Sequence, residues 1–276
     1  MSNTQRGFAL GIAVIAGLLA GCSTAAKASE FTITGTEYKY ETSGSAVPGS
    51  NLITFKNDGK EPHHVQLLQI APGSTMQDVA AALQAGDLSK VPGKFEGGVG
   101  QLAPGASGQL EAALTGGTYA MLCFVPSADG APHFVKGMAN TFEVTGEPDA
   151  TVFEAPDVKV VGLDYSFEAP ATVKAGETSI ELTNNGKEPH EANLLKLNEG
   201  VTLQQAVQGL MAAEATPGGP PPPVTLAGGA QGILPGQKTV VVADLSKGEY
   251  ALVCFITDAT NTPHIAKGMV RSLKVE

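Results

Sequence analysis

The chain has 276 residues, 42% hydrophobic and only 16% charged, a globular composition rather than a disordered one. Its formal charge is −10, and the 17 Lys and Arg residues are spread thinly. No basic patch exists, which argues against a nucleic-acid partner. Abundant Gly (34) and Pro (18), with no Trp, suit a turn-rich β protein of about two domains.

In chain order, the first predicted element is a targeting signal over residues 1–21. Arg6 supplies a positive start and FALGIAVIAGLLA (8–20) an apolar run too short for a comfortable membrane span. The run ends in Leu19-Ala20-Gly21-Cys22, which resembles the bacterial lipobox, with cleavage before Cys22 and lipid carried on its thiol; an ordinary secretory signal cut near Ala20 is the other reading. Residues 22–29 would then tether an exported, lipid-anchored body to a membrane surface. Export leaves Cys123 and Cys254 in a compartment that permits disulfides, so they are free to pair with each other.

Beyond the tether the chain repeats itself. FTITGTEYKYE (31–41) matches VKVVGLDYSFE (158–168), aligning Gly35 with Gly162 and Tyr38 with Tyr165. FKNDGKEPHHVQLLQI (55–70) matches LTNNGKEPHEANLLKL (182–197) at the same offset of 127. GTYAMLCF (117–124) and GEYALVCF (248–255) align at 131, and the Pro run at 219–223 is the natural place for the four extra residues. Two domains follow, 30–146 and 155–276, joined by a linker at 147–154.

Within each repeat, short alternating runs such as NLITFKN and TSIELTN are bounded by Gly, Pro, Asn and Asp, the pattern of an antiparallel β-sandwich. Each repeat also carries one helical insertion, 74–88 and 202–215. Ser74 with Gln77, and Thr202 with Gln205, read as capping boxes, and the helices read as cover for the sandwich.

Rare residues fall at matched places. The chain has five His, and four form pairs between repeats: His63 with His190, and His133 with His264. Cys123 pairs with Cys254, and Met138 with Met269. Taken singly, each has a bland explanation: a buried Cys is a small hydrophobe, and Met fills core gaps. Jointly, His, Cys, His and Met recur in one order, a donor set that suits copper in both oxidation states, whereas a thioether is a poor fourth ligand for zinc.

NDGKEPHH, NNGKEPHE, the GxYxxxC strands, and HFVKGM with HIAKGM together resemble the plastocyanin-like blue copper proteins, the cupredoxins, over essentially the whole mature chain. The resemblance implies an all-β fold of two tandem Greek-key sandwiches, with Tyr119 and Tyr250 at the corners. It implies copper, one ion per domain, held by His63, Cys123, His133 and Met138 in the first and by His190, Cys254, His264 and Met269 in the second. Electron transfer is the implied function. Redox partner proteins would meet apolar patches where the second His reaches the surface: Pro132, Phe134 and Val135 around His133, and Pro263, Ile265 and Ala266 around His264.

One departure stands out. Nine residues separate each Cys from the second His, more than in familiar blue copper loops, which predicts a loosely held ligand and leaves open that only one site fills. The rival readings are a sandwich pair serving as a binding or spacer module and a copper storage or delivery protein, although no Met- or His-rich tract is present. A copper enzyme would need further His, commonly as His-x-His; only His64 is left over, and it reads as an outward-facing strand residue opposite Glu191. Lys136 and Lys267 read as solvated loop charges.

Overall fold

The computed structural model describes Met1 and residues 28–86, 90–216 and 218–276. The signal segment, Cys22 and most of the tether lie outside the described residues. The first half runs β1 (Ser29–Thr36), β2 (Lys39–Gly44), β3 (Gly49–Asn57), β4 (His63–Ile70), α1 (Met76–Gln84), β5 (Gly93–Leu102), β6 (Ser107–Leu114), β7 (Gly117–Leu122) and β8 (Ala139–Val144). The second half repeats this order as β9 (Val158–Leu163), β10 (Ser166–Glu168), β11 (Thr172–Val173), β12 (Gly176–Asn184), β13 (His190–Leu197), α2 (Leu203–Ala215), β14 (Val224–Ile233), β15 (Lys238–Leu245), β16 (Gly248–Val253) and β17 (Val270–Val275). The additional short strand β11 pairs with β17.

These strands form two sheets, each running through both halves of the chain. One has the order β10-β9-β12-β15-β6-β3-β1-β2, the other β11-β17-β16-β13-β14-β5-β4-β7-β8. The halves therefore join along two seams, β6 against β15 and β5 against β14, both antiparallel. Registers at both seams obey a two-fold: Leu110 pairs with Val241, its own repeat equivalent, and Val99 pairs with Ala230, likewise its equivalent. Side-chain bonds across the seam follow the same symmetry in outline. Gln66, three residues after His63, donates to Gly232 O (3.1 Å), and Asn193, three residues after His190, accepts from Gln101 N (3.1 Å).

Why both faces of β4 and β13 are apolar follows from the layering. Val65 and Leu67 enter the core between the sheets, while Leu68 and Ile70 meet Val79 and Leu83 of α1. In the second half Leu194 faces the core and Leu195 packs with Leu210 of α2. The helices are thus cover, as expected, but two details differ. The first capping box is Thr75 with Asp78, one residue later than the pattern suggests, because the Asp carboxylate returns to the Thr75 N–H at 2.8 Å. The four extra residues of the second half extend α2 past the point where α1 stops; the chain from helix end to next strand is equally long in both halves, so the Pro run at 219–223 is not the insertion. Tyr119 and Tyr250 form the anticipated corners, their hydroxyls donating to Thr115 O (3.1 Å) and Ser246 O (2.9 Å). Among the described residues, no helix is long and apolar enough to cross a membrane.

Candidate metal centres

Each half gathers two imidazoles and one thiol from three separate places. His63 opens β4 and His190 opens β13; Cys123 and Cys254 follow β7 and β16. His133 and His264 each start a one-turn 3-10 helix, set up by the preceding Pro and closed by a glycine with left-handed φ, Gly137 (112°) and Gly268 (98°). The potential ligand atoms of His63, Cys123 and His133 all lie within 4.8 Å of one another, as do those of His190, Cys254 and His264. All six residues are fully buried.

One backbone lattice, written twice, holds them. His133 N donates to Val125 O and Phe134 N to Cys123 O, while Met138 N donates to His133 O and Cys123 N to Met138 O, at 2.8–3.3 Å. The second half repeats these four bonds through Ile256, Cys254, His264 and Met269 at 2.9–3.3 Å. Met138 and Met269 are fully buried beside this lattice. A Cβ on Gly35 would stand 3.0 Å from the Met138 Cε, so glycine there leaves room for the thioether.

The nine-residue segments are not loose, contrary to the expectation from their length. Each pinches shut at a β-bridge, Pro126 with Pro132 and Thr257 with Pro263, and the intervening residues form a small hairpin. Ser127 N donates to Ala131 O (2.9 Å) and Asp258 N to Thr262 O (3.0 Å). Lys136 ties to Asp129 at 2.8 Å, and Lys267 pairs with Asp258. These lysines are therefore partnered within their own loops rather than freely solvated.

The second histidines do not reach the surface either. Each ring instead has a carboxylate beside its Nε2: His133 Nε2 lies 3.0 Å from Glu61 Oε2 and His264 Nε2 lies 2.9 Å from Glu188 Oε2. Of the first histidines, His190 Nε2 is hydrogen-bonded to Asp164 at 3.2 Å, whereas His63 Nε2 stands 3.8 Å from Glu37, too far for a hydrogen bond. A carboxylate at Nε2 favours the proton on that nitrogen and leaves the Nδ1 lone pair facing inward. There, Cys123 Sγ is 3.6 Å and His63 Nδ1 3.1 Å from His133 Nδ1, and Cys254 Sγ is 3.4 Å from His264 Nδ1. These four carboxylates escape a search for ligands, but their signal was present: acidic residues recur in both repeats, Glu37 with Asp164 and Glu61 with Glu188.

Asn57 and Asn184, both fully buried, fix the turns that precede the first histidines. Asn57 Nδ2 donates to Glu61 O and Leu102 O, and its Oδ1 accepts from Gly59 N; Asn184 does the same with Glu188 O, Ile233 O and Gly186 N. Gly59 and Gly186 are required by contact. A Cβ at Gly59 would lie 2.7 Å from both Glu37 Oε1 and His63 Nε2, and one at Gly186 would lie 2.4 Å from Asp164 Oδ1 and His190 Nε2.

His64 and Glu191 occupy equivalent positions with one shared task. His64 is not an outward, solvated residue: it is 3% exposed and its Nε2 accepts the Phe124 N–H at 2.5 Å. Glu191 Oε1 accepts the Phe255 N–H at 2.8 Å. Each thus anchors the residue that follows a cysteine. Burial drives their ionisation in opposite directions along the pH scale, the His64 imidazole down to about 3 and the Glu191 carboxyl up to about 7.

Electrostatically the sites favour neutral donors. Burial lowers the imidazoles of His63, His190 and His264, and brings His133 down to about 4. Burial also lifts the Cys123 thiol to about 12 and raises that of Cys254. Both cysteines are free thiols, so they are not paired with each other. A buried thiol of this kind becomes a thiolate only when a cation takes its proton's place. His190 Nδ1 is buried with no hydrogen-bond partner among the described residues, an orphaned lone pair aimed into the second centre. Two neutral imidazoles and one thiol fit a soft or borderline transition metal rather than a hard cation such as Mg²⁺ or Ca²⁺.

No protein-family model matches the chain, and no curated protein matches its sequence. Among solved structures it is similar to dithionite-reduced auracyanin from the photosynthetic bacterium Roseiflexus castenholzii, at 17% identity over 43% of this chain and 94% of that one, TM-score 0.29. It is similar to auracyanin A, a "blue" copper protein from Chloroflexus aurantiacus, at 21% identity over 43% and 96%, TM-score 0.29. A structure described as a multicopper oxidase matches at 18% identity over 90% of this chain and 88% of that one, TM-score 0.25.

Proposed function

We propose that this chain is an exported, lipid-anchored electron carrier of the cupredoxin kind, with one type 1 copper site in each of two tandem Greek-key domains, 30–146 and 155–276. The observation that carries the reading is the duplication of a buried two-His, one-Cys cluster whose donor atoms converge within 4.8 Å in each half. Copper bound there would supply a one-electron couple, its thiolate and imidazole donors serving both oxidation states. His63, Cys123 and His133, with Met138 beside them, would hold the first ion; His190, Cys254 and His264, with Met269, the second.

The protein's own part is to keep those donors still. The hydrogen-bonded lattice joining each Cys, second His and Met, the buried Asn before each first His, and the pinched loops all resist rearrangement when the charge of a bound ion changes. In the second half, the carboxylates hydrogen-bonded to His190 and His264 Nε2 fix imidazole orientation and strengthen the nitrogen donors. We assign no catalysis. Once the eight ligands are allotted, His64 is the remaining histidine, and it is committed to the Phe124 N–H. Anchoring through Cys22 and an extracytoplasmic location complete the reading, supported by the signal-like start.

The test is to produce residues 23–276, add Cu(II), and record the visible spectrum together with copper per chain. Two coppers and an intense thiolate-to-copper band are expected, with Cys123→Ser and Cys254→Ser each removing about half the colour. A protein that takes up no copper in either oxidation state would overturn the reading and leave a paired sandwich module.

A further inference from the structure

Two tyrosines stand in backbone conformations that tyrosine rarely adopts. The β1–β2 and β9–β10 hairpins each have a two-residue turn, Glu37-Tyr38 and Asp164-Tyr165. The second turn residue has left-handed φ, 61° at Tyr38 and 67° at Tyr165. Glycine or asparagine is the usual occupant of such a position, since a bulky side chain there is strained. Among the described residues, one other non-glycine residue has positive φ, and it is an asparagine, Asn261. The strain is thus reserved for one residue type at one repeated place, and the folding of the turn does not call for that residue.

What the ring gains is contact with the metal centre. Tyr38 stands edge-on to His133, ring centroids 5.0 Å apart, and Tyr165 stands edge-on to His264 at 5.2 Å. Each tyrosine is half-buried, whereas each histidine is fully buried. A lysine lies over both rings: Lys136 Nζ is 5.1 Å from the Tyr38 centroid and Lys267 Nζ is 4.4 Å from that of Tyr165. Tyr165 is further fixed by its hydroxyl, which donates to Glu188 Oε2 at 3.3 Å and accepts from Lys267 at 3.2 Å. The two halves therefore repeat the same set: a fully buried second histidine, a half-buried tyrosine ring edge-on to it, and a lysine near that ring.

We infer that Tyr38 and Tyr165 are the outer contacts through which each centre exchanges electrons with a redox partner, in place of a surface-exposed histidine edge. This rests on the copper reading above. With copper bound, the exchange would pass one electron from the reduced centre to the partner, the copper being oxidised by one as the partner is reduced by one; no proton or bond would change hands. The tyrosine acts as a packed bridge of π density between imidazole and partner and is not itself oxidised, so phenylalanine should serve as well.

The experiment uses the Cys254→Ser protein, whose colour reports the first centre alone, reduced and mixed in stopped flow with hexacyanoferrate(III), which becomes hexacyanoferrate(II). Tyr38→Leu in that background should slow reoxidation about tenfold, the loss expected when an aromatic anchor leaves a contact. Copper content, the position of the visible band and the reduction potential should stay unchanged, and Tyr38→Phe should restore the rate. If Tyr38→Leu loses copper or its band, Tyr38→Asn, whose side chain suits the left-handed turn, carries the same test. An unchanged rate in a variant that keeps its copper would overturn the inference alone, as would a slowed rate accompanied by a shifted potential. Failure of the parent Cys254→Ser protein to bind copper would instead overturn the reading beneath it. Tyr165→Leu with Cys123→Ser gives the mirror test for the second centre.

Discussion

Replacing Glu191 with Gln should change how the stability of the metal-free protein depends on pH, by an amount the structure allows to be worked out. Glu191 is 6% exposed and accepts the Phe255 N–H. Burial raises its carboxyl from 4.5 to about 7. Between those values the folded chain keeps a proton that the unfolded chain has released, so stability falls as pH rises through the window. About 2.5 pH units at 1.4 kcal/mol each give roughly 3 kcal/mol. Glu191→Gln removes the titration while retaining an acceptor for the amide. Urea unfolding of both proteins, copper-free, should therefore show the wild type losing about 3 kcal/mol relative to Glu191→Gln from below pH 4.5 to above pH 7. His64 supplies the opposite control. Its folded value near 3 lies below its ordinary 6.5, so its contribution is fully present above pH 6.5 and is lost as pH falls. A stability difference between wild type and Glu191→Gln that stays flat across the window would refute the assignment of Glu191 as a buried, protonatable acceptor.

Asn57→Ala should cost about 3 kcal/mol, since it breaks three hydrogen bonds in a fully buried site, and Asn184→Ala should match it; thermal unfolding and copper per chain would show both effects. Tyr119→Phe removes the hydroxyl's bonds to Thr115 O and from Thr115 N and should lower stability by about 2 kcal/mol, and Tyr250→Phe, which removes the bond to Ser246 O, by about 1 kcal/mol, both without changing the visible band. Gly59→Ala should weaken copper retention at the first centre, because its methyl would displace the Glu37 carboxylate and crowd His63 Nε2; competition with a chelator would measure the loss.

Much of this protein is legible in its repeats. The pairing of His63 with His190, Cys123 with Cys254 and His133 with His264 identifies the residues that the fold then brings within 4.8 Å. The Tyr corners and the helical cover are legible for the same reason, a local pattern written twice. Loop behaviour is not. Nine residues between Cys and His suggest slack, yet the slack is consumed by a bridge between residues flanking the excursion, such as Pro126 and Pro132, which spacing alone does not reveal. Nor does alternation along β4 expose the fate of His64, since the face away from the core is covered by α1 and Phe124 instead of water. The Nε2 carboxylates were within reach, because acidity recurs at Glu37 and Asp164 while the exact residue does not. The seams required the three-dimensional arrangement, because repeat equivalence of Leu110 and Val241 says nothing about their being neighbours.

Those seams explain why the chain is one body rather than two beads. A sandwich of the first half alone would leave β5 and β6 as open edges on the same side, each presenting unpaired N–H and C=O groups to any passing strand. Joining them to β14 and β15 closes both edges at once. The geometry is that of an isologous dimer, in which equivalent patches meet across a two-fold axis, with the two copies covalently linked. The linker supports this arrangement: Asp149 N and O continue the backbone bonding of Pro48 and Ser50, so the crossing chain is itself pinned to the first half. Such a two-fold sends the ligand-bearing starts of β4 and β13 to opposite ends of one sheet, since three antiparallel steps separate the strands. The second histidines accompany those ends, and with them Tyr38 and Tyr165. The two centres therefore lie toward opposite ends of that sheet, each buried within its own half.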